Sequence, residues 1–247
     1  MSVSPRSNDR PRFAGSSISG FWVWTVLLCA GVWGFLQIAD YAMGGGSHAI
    51  DRAILLSMRS SADPSDPAGP RWLEELGRDF TALGGTGVLT LVTLTVVGYL
   101  LLIRKARIAG FVVVAVVVGL LMSSLLKSGF DRPRPDLVPH GSHTYTSSFP
   151  SGHSMMAAVC YLTLASLLCA AHPERRIKMY LVLVASVLTV LIGVSRVYLG
   201  VHWPTDVVAG WLAGTLWALS AWWLARLSRR RVPTISPTRA SESATRE

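Results

Sequence analysis

A handful of charged and histidine side chains have the types and spacings that phosphoryl chemistry asks for. They lie in three stretches: Lys127-Ser-Gly-Phe-Asp-Arg-Pro-Arg134-Pro135, then Pro150-Ser151-Gly152-His153, then Ser195-Arg196 followed by His202 and Asp206. A phosphoryl group in transfer spreads negative charge over three equatorial oxygens, so its site needs several fixed donors aimed at one place. Lys127, Arg134 and Arg196 supply three cations, and the planar fork of arginine can bind two phosphate oxygens together. Ser151 adds a hydroxyl. The Ser151-Gly152 turn is expected to open a helix whose free N–H groups favour an anion, and Gly152 lets the backbone come close.

In-line displacement also needs a nucleophile on one side of phosphorus and a proton donor on the other. His202 and Asp206 are one helical turn apart, with Pro204 suited to a helix's first turn. A carboxylate on one imidazole nitrogen fixes the tautomer and leaves the other nitrogen bare and nucleophilic. The bland alternative is that Lys and Arg beside apolar spans merely snorkel, and that a lone His is a solvated loop residue. Asp206 resists that reading, because a carboxylate at the mouth of an apolar span is expensive unless it serves a function.

The elements that must position these residues are apolar. Of the 247 residues 51% are hydrophobic and 15% charged, with mean hydropathy +0.43, well short of the charge of a soluble domain. Six uncharged windows, 21–39, 85–103, 108–126, 154–171, 179–194 and 207–225, are long enough or nearly so to cross a bilayer as helices. Residues Phe111 to Val118 would read as strand in water, but an isolated run in hydrocarbon must satisfy its own backbone and is expected to be helix. The fifth window is shortest and must borrow flanking residues. The expectation is an all-α, six-transmembrane-helix bundle over 21–226. The first window follows a basic leader but lacks a small-x-small cleavage site, so it is read as a retained helix.

The net charge of +9 raises nucleic acid as a partner, and its distribution excludes it, because the cations sit between apolar runs rather than on one face. They report topology instead: 15 of the 23 Lys and Arg fall in the N-terminus, 104–107, 172–178 and the tail, and 8 in the alternate loops. The richer set is expected to be cytoplasmic, with both termini, as in a bacterial inner membrane; the three chemical stretches then share the extracytoplasmic face. Tails 1–20 and 227–247 are polar and read as disordered. Segment 40–84 carries Gly44-Gly45-Gly46, Pro64, Pro67 and Pro70 between short helical patterns (Ile50, Ile54, Leu55, Met58; Trp72, Leu73, Leu76). These either lie in the interface and shape a lipid entrance or cap the bundle.

Read together, the three stretches spell K-x6-RP, PSGH and SR-x5-H-x3-D, in order and on one predicted face. That combination resembles the type 2 phosphatidic acid phosphatases, the lipid phosphate phosphatases, whose superfamily also holds vanadium-dependent haloperoxidases and soluble bacterial acid phosphatases. The motifs cover 127–206 without departure, and the likeness to the six-helix membrane branch covers roughly 21–226. The resemblance implies that His202 attacks phosphorus, Asp206 orients and charges it, and His153 protonates the departing alkoxide, then deprotonates the water that hydrolyses a phosphohistidine. No metal-ligand set is visible in the sequence, so no metal and no cofactor are expected. Substrates of the undecaprenyl diphosphate, phosphatidylglycerophosphate or phosphatidic acid type are suggested, at the outer leaflet. A lipid phosphotransferase with the same first half-reaction, a haloperoxidase and a transporter with buried charges are the alternatives.

Other residues carry less. His140 and His143 lack a third ligand and are read as solvated or near the entrance. Arg132, at a variable position of the first motif, either attracts anionic headgroups or is a surface charge; Asp131 sits beside it. Gly210 and Gly214 suggest a small-residue packing face, Tyr198 and Trp203 interfacial aromatics, and Cys29, Cys160 and Cys169 apolar packing.

Overall fold

The computed structural model describes residues 15–44, 49–136, 147–169 and 172–230. Residues His140 and His143, Gly45 and Gly46, and most of both tails lie outside the described residues. Among those described, all regular structure is helical: α1 (Gly15–Met43), α2 (Ala49–Ser57), α3 (Arg71–Leu83), α4 (Thr86–Leu102), α5 (Ala106–Ser128), α6 (Gly152–Ala157), α7 (Thr163–Leu168), α8 (Arg175–Tyr198) and α9 (Pro204–Arg230). A π-helical turn, Ala158–Leu162, joins α6 to α7 in one rod.

Five of the six apolar windows each fall on one helix to within a residue, and the described part of the fourth, 154–169, runs through α6, the π-helical turn and α7. The valine run of 111–118 is helical within α5, as the demand for internally satisfied backbone in hydrocarbon requires. The short fifth window does borrow its neighbours, since α8 extends four residues beyond it at both ends. Exposed side chains on α5, including Val114, Leu121 and Leu125, are aliphatic, which suits a helix facing lipid. Among the described residues, four helices are long and apolar enough to cross a membrane (Gly20–Met43, Ala106–Ser128, Arg175–Tyr198, Pro204–Ser228), and a fifth span forms if α3 and α4, bent by 53°, act as one. The rod Gly152–Leu168 is shorter, about 26 Å at 1.5 Å per residue, and is enclosed by its neighbours.

That rod is the centre of the bundle. Met155, Ala157, Ala158, Val159 and Cys160 are fully buried, packed against α5, α8 and α9. The predicted small-residue face explains how closely α9 comes. A Cβ on Gly210 would lie 2.7 Å from the Ser151 carbonyl oxygen, and one on Gly214 would lie 2.5 Å from that of Met155. Glycine alone lets these backbones touch, and the contact brings the start of α9 against the start of α6.

The segment before α4 packs part of its length onto the bundle and leaves part exposed. Asp51 and Leu55 of α2 turn inward and are fully buried, Leu55 against Val197 and Val207, while Ile50, Ile54 and Trp72 stay exposed. Tyr198 donates to the Ala68 carbonyl (2.9 Å) and Trp203 Nε1 to the Pro133 carbonyl (3.0 Å), which ties both rings to neighbouring segments.

Candidate active site

The helices alternate in direction, so the C-terminal ends of α5 and α8 meet the N-terminal ends of α6 and α9. Lys127 lies in the last turn of α5 and Arg196 in the last turn of α8. Gly152 opens α6, and Asp206 lies in the first turn of α9. Hydrogen bonds to backbone carbonyls stitch the three motifs together. Ser151 N–H donates to the Asp206 carbonyl (2.9 Å), Ser148 N–H to the Arg132 carbonyl (2.9 Å), and Arg134 Nη1 to the Val201 carbonyl (3.1 Å). The structure therefore brings every sequence-predicted site residue to one end of the bundle.

The turn from Arg196 to His202 is set by a Schellman cap. Gly200, at φ 72°, donates its N–H to the Val197 carbonyl (2.9 Å), and Val201 donates to the Arg196 carbonyl (3.1 Å). A left-handed residue is needed there, and glycine takes it without steric cost. Four residues after His202, Asp206 reaches back so that Oδ2 accepts the Trp203 N–H (3.0 Å), the acidic half of a capping box. The same oxygen stands 3.3 Å from His202 Nδ1 and accepts from the Ser148 hydroxyl.

His202 is 1% exposed. Its other nitrogen, Nε2, lies 3.4 Å from Arg134 Nη1. A guanidinium only donates, so Nε2 must be the bare nitrogen and Nδ1 carries the proton toward Asp206. Burial pushes the imidazole down to about 4, with the hydrogen bond and charge of Asp206 opposing and Arg196 and Arg134 adding to the fall. At neutral pH the ring is thus a neutral base with its lone pair toward the cations.

Those cations form a cradle. Arg134 and Arg196 each hold a buried Nε with no acceptor among the described residues. Lys127 sits over the turn of the second motif, where a Cβ on Gly152 would meet its Cε at 3.1 Å. Ser151, fully buried, caps α6: its Oγ accepts from the Ser154 N–H (3.5 Å) and hydroxyl (3.0 Å), which leaves its own proton to donate. Lys127, Arg132, Arg134 and Arg196 outnumber the carboxylates of Asp51 and Asp206 by two, a surplus that one phosphate dianion would neutralise. His153, half-buried, feels the charges of Arg196, Lys127 and Arg134 and the ring of His202. A cavity of about 420 Å³ starts at Lys127, Gly152 and His153 and runs between α4 and α5 past Leu89, Thr90 and Val116.

One expectation is overturned. Arg132 is no surface charge or headgroup lure: it is 3% exposed and salt-bridged to Asp206 and to Asp51. Motif spacing carried no information about it, because its partners come from α2 and α9. Sequence reasoning also missed Asp51, Ser148 and Thr205. The available signal was Asp51 standing one turn before Leu55 on the inward stripe of α2, where a carboxylate must have a partner.

A profile of the PAP2 superfamily matches residues 88–230. The chain is 36% identical over 146 residues to phosphatidylglycerophosphatase B of Bacillus subtilis, covering 59% of this chain and 71% of that one. It is 32% identical over 133 residues to undecaprenyl-diphosphatase of Sulfolobus acidocaldarius, covering 50% and 59%. Among solved structures, the crystal structure of a transmembrane PAP2-type phosphatidylglycerolphosphate phosphatase from Bacillus subtilis superposes with TM-score 0.72 at 28% identity, covering 84% of this chain and 98% of that one.

Proposed function

The chain belongs to the PAP2 superfamily, and on that premise we propose that it removes phosphate from a membrane lipid phosphate or diphosphate through a phosphohistidine on His202. The observation that carries this reading is the pairing of a bare Nε2, backed by Asp206, with the acceptor-free Nε groups of Arg134 and Arg196. Its relatives carry the names of phosphatases for phosphatidylglycerophosphate and undecaprenyl diphosphate, and lipid esters of these types are the proposed substrates. The apolar cavity between α4 and α5 supports a lipid, since it offers a hydrocarbon chain a path leading from the cup.

In the first half-reaction the His202 Nε2 lone pair bonds to phosphorus as the ester P–O bond breaks. Arg134, Arg196 and Lys127 hold the equatorial oxygens, and Asp206 offsets the positive charge growing on the ring. His153, charged beside the bound dianion, gives its proton to the departing oxygen. In the second half, neutral His153 takes a proton from water as that oxygen attacks phosphorus. The P–N bond breaks, its electron pair returns to Nε2, and inorganic phosphate leaves.

The six helical segments are proposed to act as six membrane passages, α4 and the central rod being short because the bundle shelters their ends. Their cup would lie at the outer leaflet of a bacterial inner membrane, since the Lys and Arg of 104–107, 175–178 and the α9 end cluster at the other end. The donors of the cup are cations and imidazoles, a set suited to an anion, so turnover is expected to proceed without a metal. The test is phosphate release by purified enzyme from a panel of polyprenyl diphosphates and glycerolipid phosphates, in excess chelator and without acceptor lipid. The same samples, quenched with alkali, should yield a base-stable, acid-labile phosphoenzyme. Release that requires an acceptor lipid would make this a phosphotransferase, and absence of the phosphoenzyme would sink the mechanism.

A further inference from the structure

Behind His202, on the side away from the cup, lies a second set of buried charges that the three motifs do not account for. Arg132 Nη1 donates to Asp206 Oδ1 and to Thr205 Oγ1 (2.8 Å), and its Nη2 donates to Asp51 Oδ2 (2.7 Å). The guanidinium carbon lies 5.7 Å from the centre of the Trp203 ring. Asp51 comes from α2, far from the motifs in sequence. Its Oδ1 accepts the Thr205 N–H (2.9 Å) and its Oδ2 the Thr205 hydroxyl (2.6 Å). Asp51 thus caps α9 from another helix, because Trp203, the residue before Pro204, has no acceptor side chain. The side chains of Arg132, Asp51 and Asp206 are exposed by 2%, 0% and 0%.

We propose that Asp51 and Arg132 are a positioning pair that aims Asp206 at His202 and sets how much negative charge stands behind the ring. The aiming follows from which oxygen each partner takes. Arg132 holds Oδ1, so Oδ2 is presented to His202 Nδ1, Ser148 and the Trp203 N–H. The charge follows from the count. Arg132 and Asp206 alone would cancel, leaving the imidazolium of the phosphohistidine with little to offset it. Asp51 neutralises Arg132 instead, and one negative charge remains behind the ring as it becomes positive. Neither residue touches His202 or the phosphate. The inference rests on the reading of His202 as nucleophile.

Groups facing His202 are Asp206 from α9, Arg134 from the loop after α5, Arg196 from α8 and His153 from α6. The two halves of the pair therefore make opposite predictions against a constant background. In the purified full-length protein, Asp51→Asn leaves Arg132 free to claim Asp206. It is expected to lower kcat about 10-fold with KM within twofold, and to lower the titration midpoint of His202 read by NMR of ¹³C-labelled histidine. Arg132→Gln removes the cation and should move that midpoint upward. The double variant removes both charges, brings the midpoint back toward wild type, and still turns over about 10-fold slower because Asp206 is no longer held.

Midpoints unmoved in both single variants, or moved in the same direction, would overturn the proposal, since a pair that merely held α2 in place would change the folded fraction and not the titration. If either single variant fails to fold, the charge-neutral double decides: wild-type kcat there refutes the aiming role. Unmoved midpoints with an intact phosphohistidine would reject this inference alone. Absence of phosphohistidine in the wild type would reject the reading beneath it.

Discussion

On the cup side of His202, Arg134 and Arg196 keep buried Nε donors that meet no protein acceptor, whereas on the far side all four oxygens of Asp51 and Asp206 are hydrogen-bonded. A buried donor without an acceptor is costly, and an anion bound in the cationic cup would supply one. A satisfied buried network is rigid and specifies one geometry. The front of the ring is built to be completed by a substrate; behind it both carboxylates are fully partnered and hold the ring still. Changes at the front should therefore abolish chemistry or binding, and changes at the back should tune it.

The sharpest way to break this comparison is at the ring itself. His202→Ala is expected to lower kcat by at least about 10⁴-fold with the protein still folded, because no other described side chain offers a bare nitrogen backed by a carboxylate. Phosphate release from a lipid phosphate checks it, and wild-type turnover would refute the assignment outright. One step down, Arg196→Gln removes a front donor at a position half-closed to solvent. The loss should be about 10²- to 10³-fold in kcat/KM, the usual cost of one donor to a transition-state oxyanion, with Arg196→Lys intermediate because the bidentate fork is lost while the charge remains. Arg196→Gln with unchanged kcat/KM would mean that the acceptor-free Nε does not mark the phosphate.

The same division explains what the sequence could reveal. The front residues Lys127, Arg134, Ser151, Gly152, His153 and Arg196, with His202 and Asp206, lie in short local patterns that together resemble one family's motifs. The helices were legible because hydrocarbon leaves the backbone little choice, even through 111–118. The back was hidden because its members come from distant segments and look ordinary one by one. Arg132 reads as a surface charge until Asp51 is placed beside it, and nothing local in α2 announces the N-terminus of α9. Span count was also harder than span position, since α4 and the central rod are helical where expected but short by themselves.

A third prediction extends the front to the cavity it opens into. Thr90 lies about one turn beyond Thr86 on the α4 wall of the 420 Å³ space. Thr90→Trp should fill that space and raise KM about 10-fold for a long-chain lipid phosphate, while leaving kcat/KM for a water-soluble short-chain ester within twofold. Equal effects on both substrates would show that the cavity does not hold the chain.

The smallest effect is expected at the back. Ser148 is fully buried, and its hydroxyl donates to Asp206 Oδ2 while lying 3.3 Å from His202 Nδ1. Ser148→Ala removes that donor and leaves Oδ2 with the Trp203 N–H and the imidazole, so the carboxylate loses one of its partners without losing its aim. One hydrogen bond to a charged acceptor is worth about 1.5–3 kcal/mol when the acceptor is left bare, and about 1 kcal/mol when other donors remain. With two donors remaining on that oxygen and Arg132 on the other, the expectation is a three- to tenfold fall in kcat, at unchanged KM and thermal stability within a few degrees. A fall comparable to that of His202→Ala would mean that Ser148 touches the reacting atoms, and the division between a front that reacts and a back that supports would have to be redrawn around it.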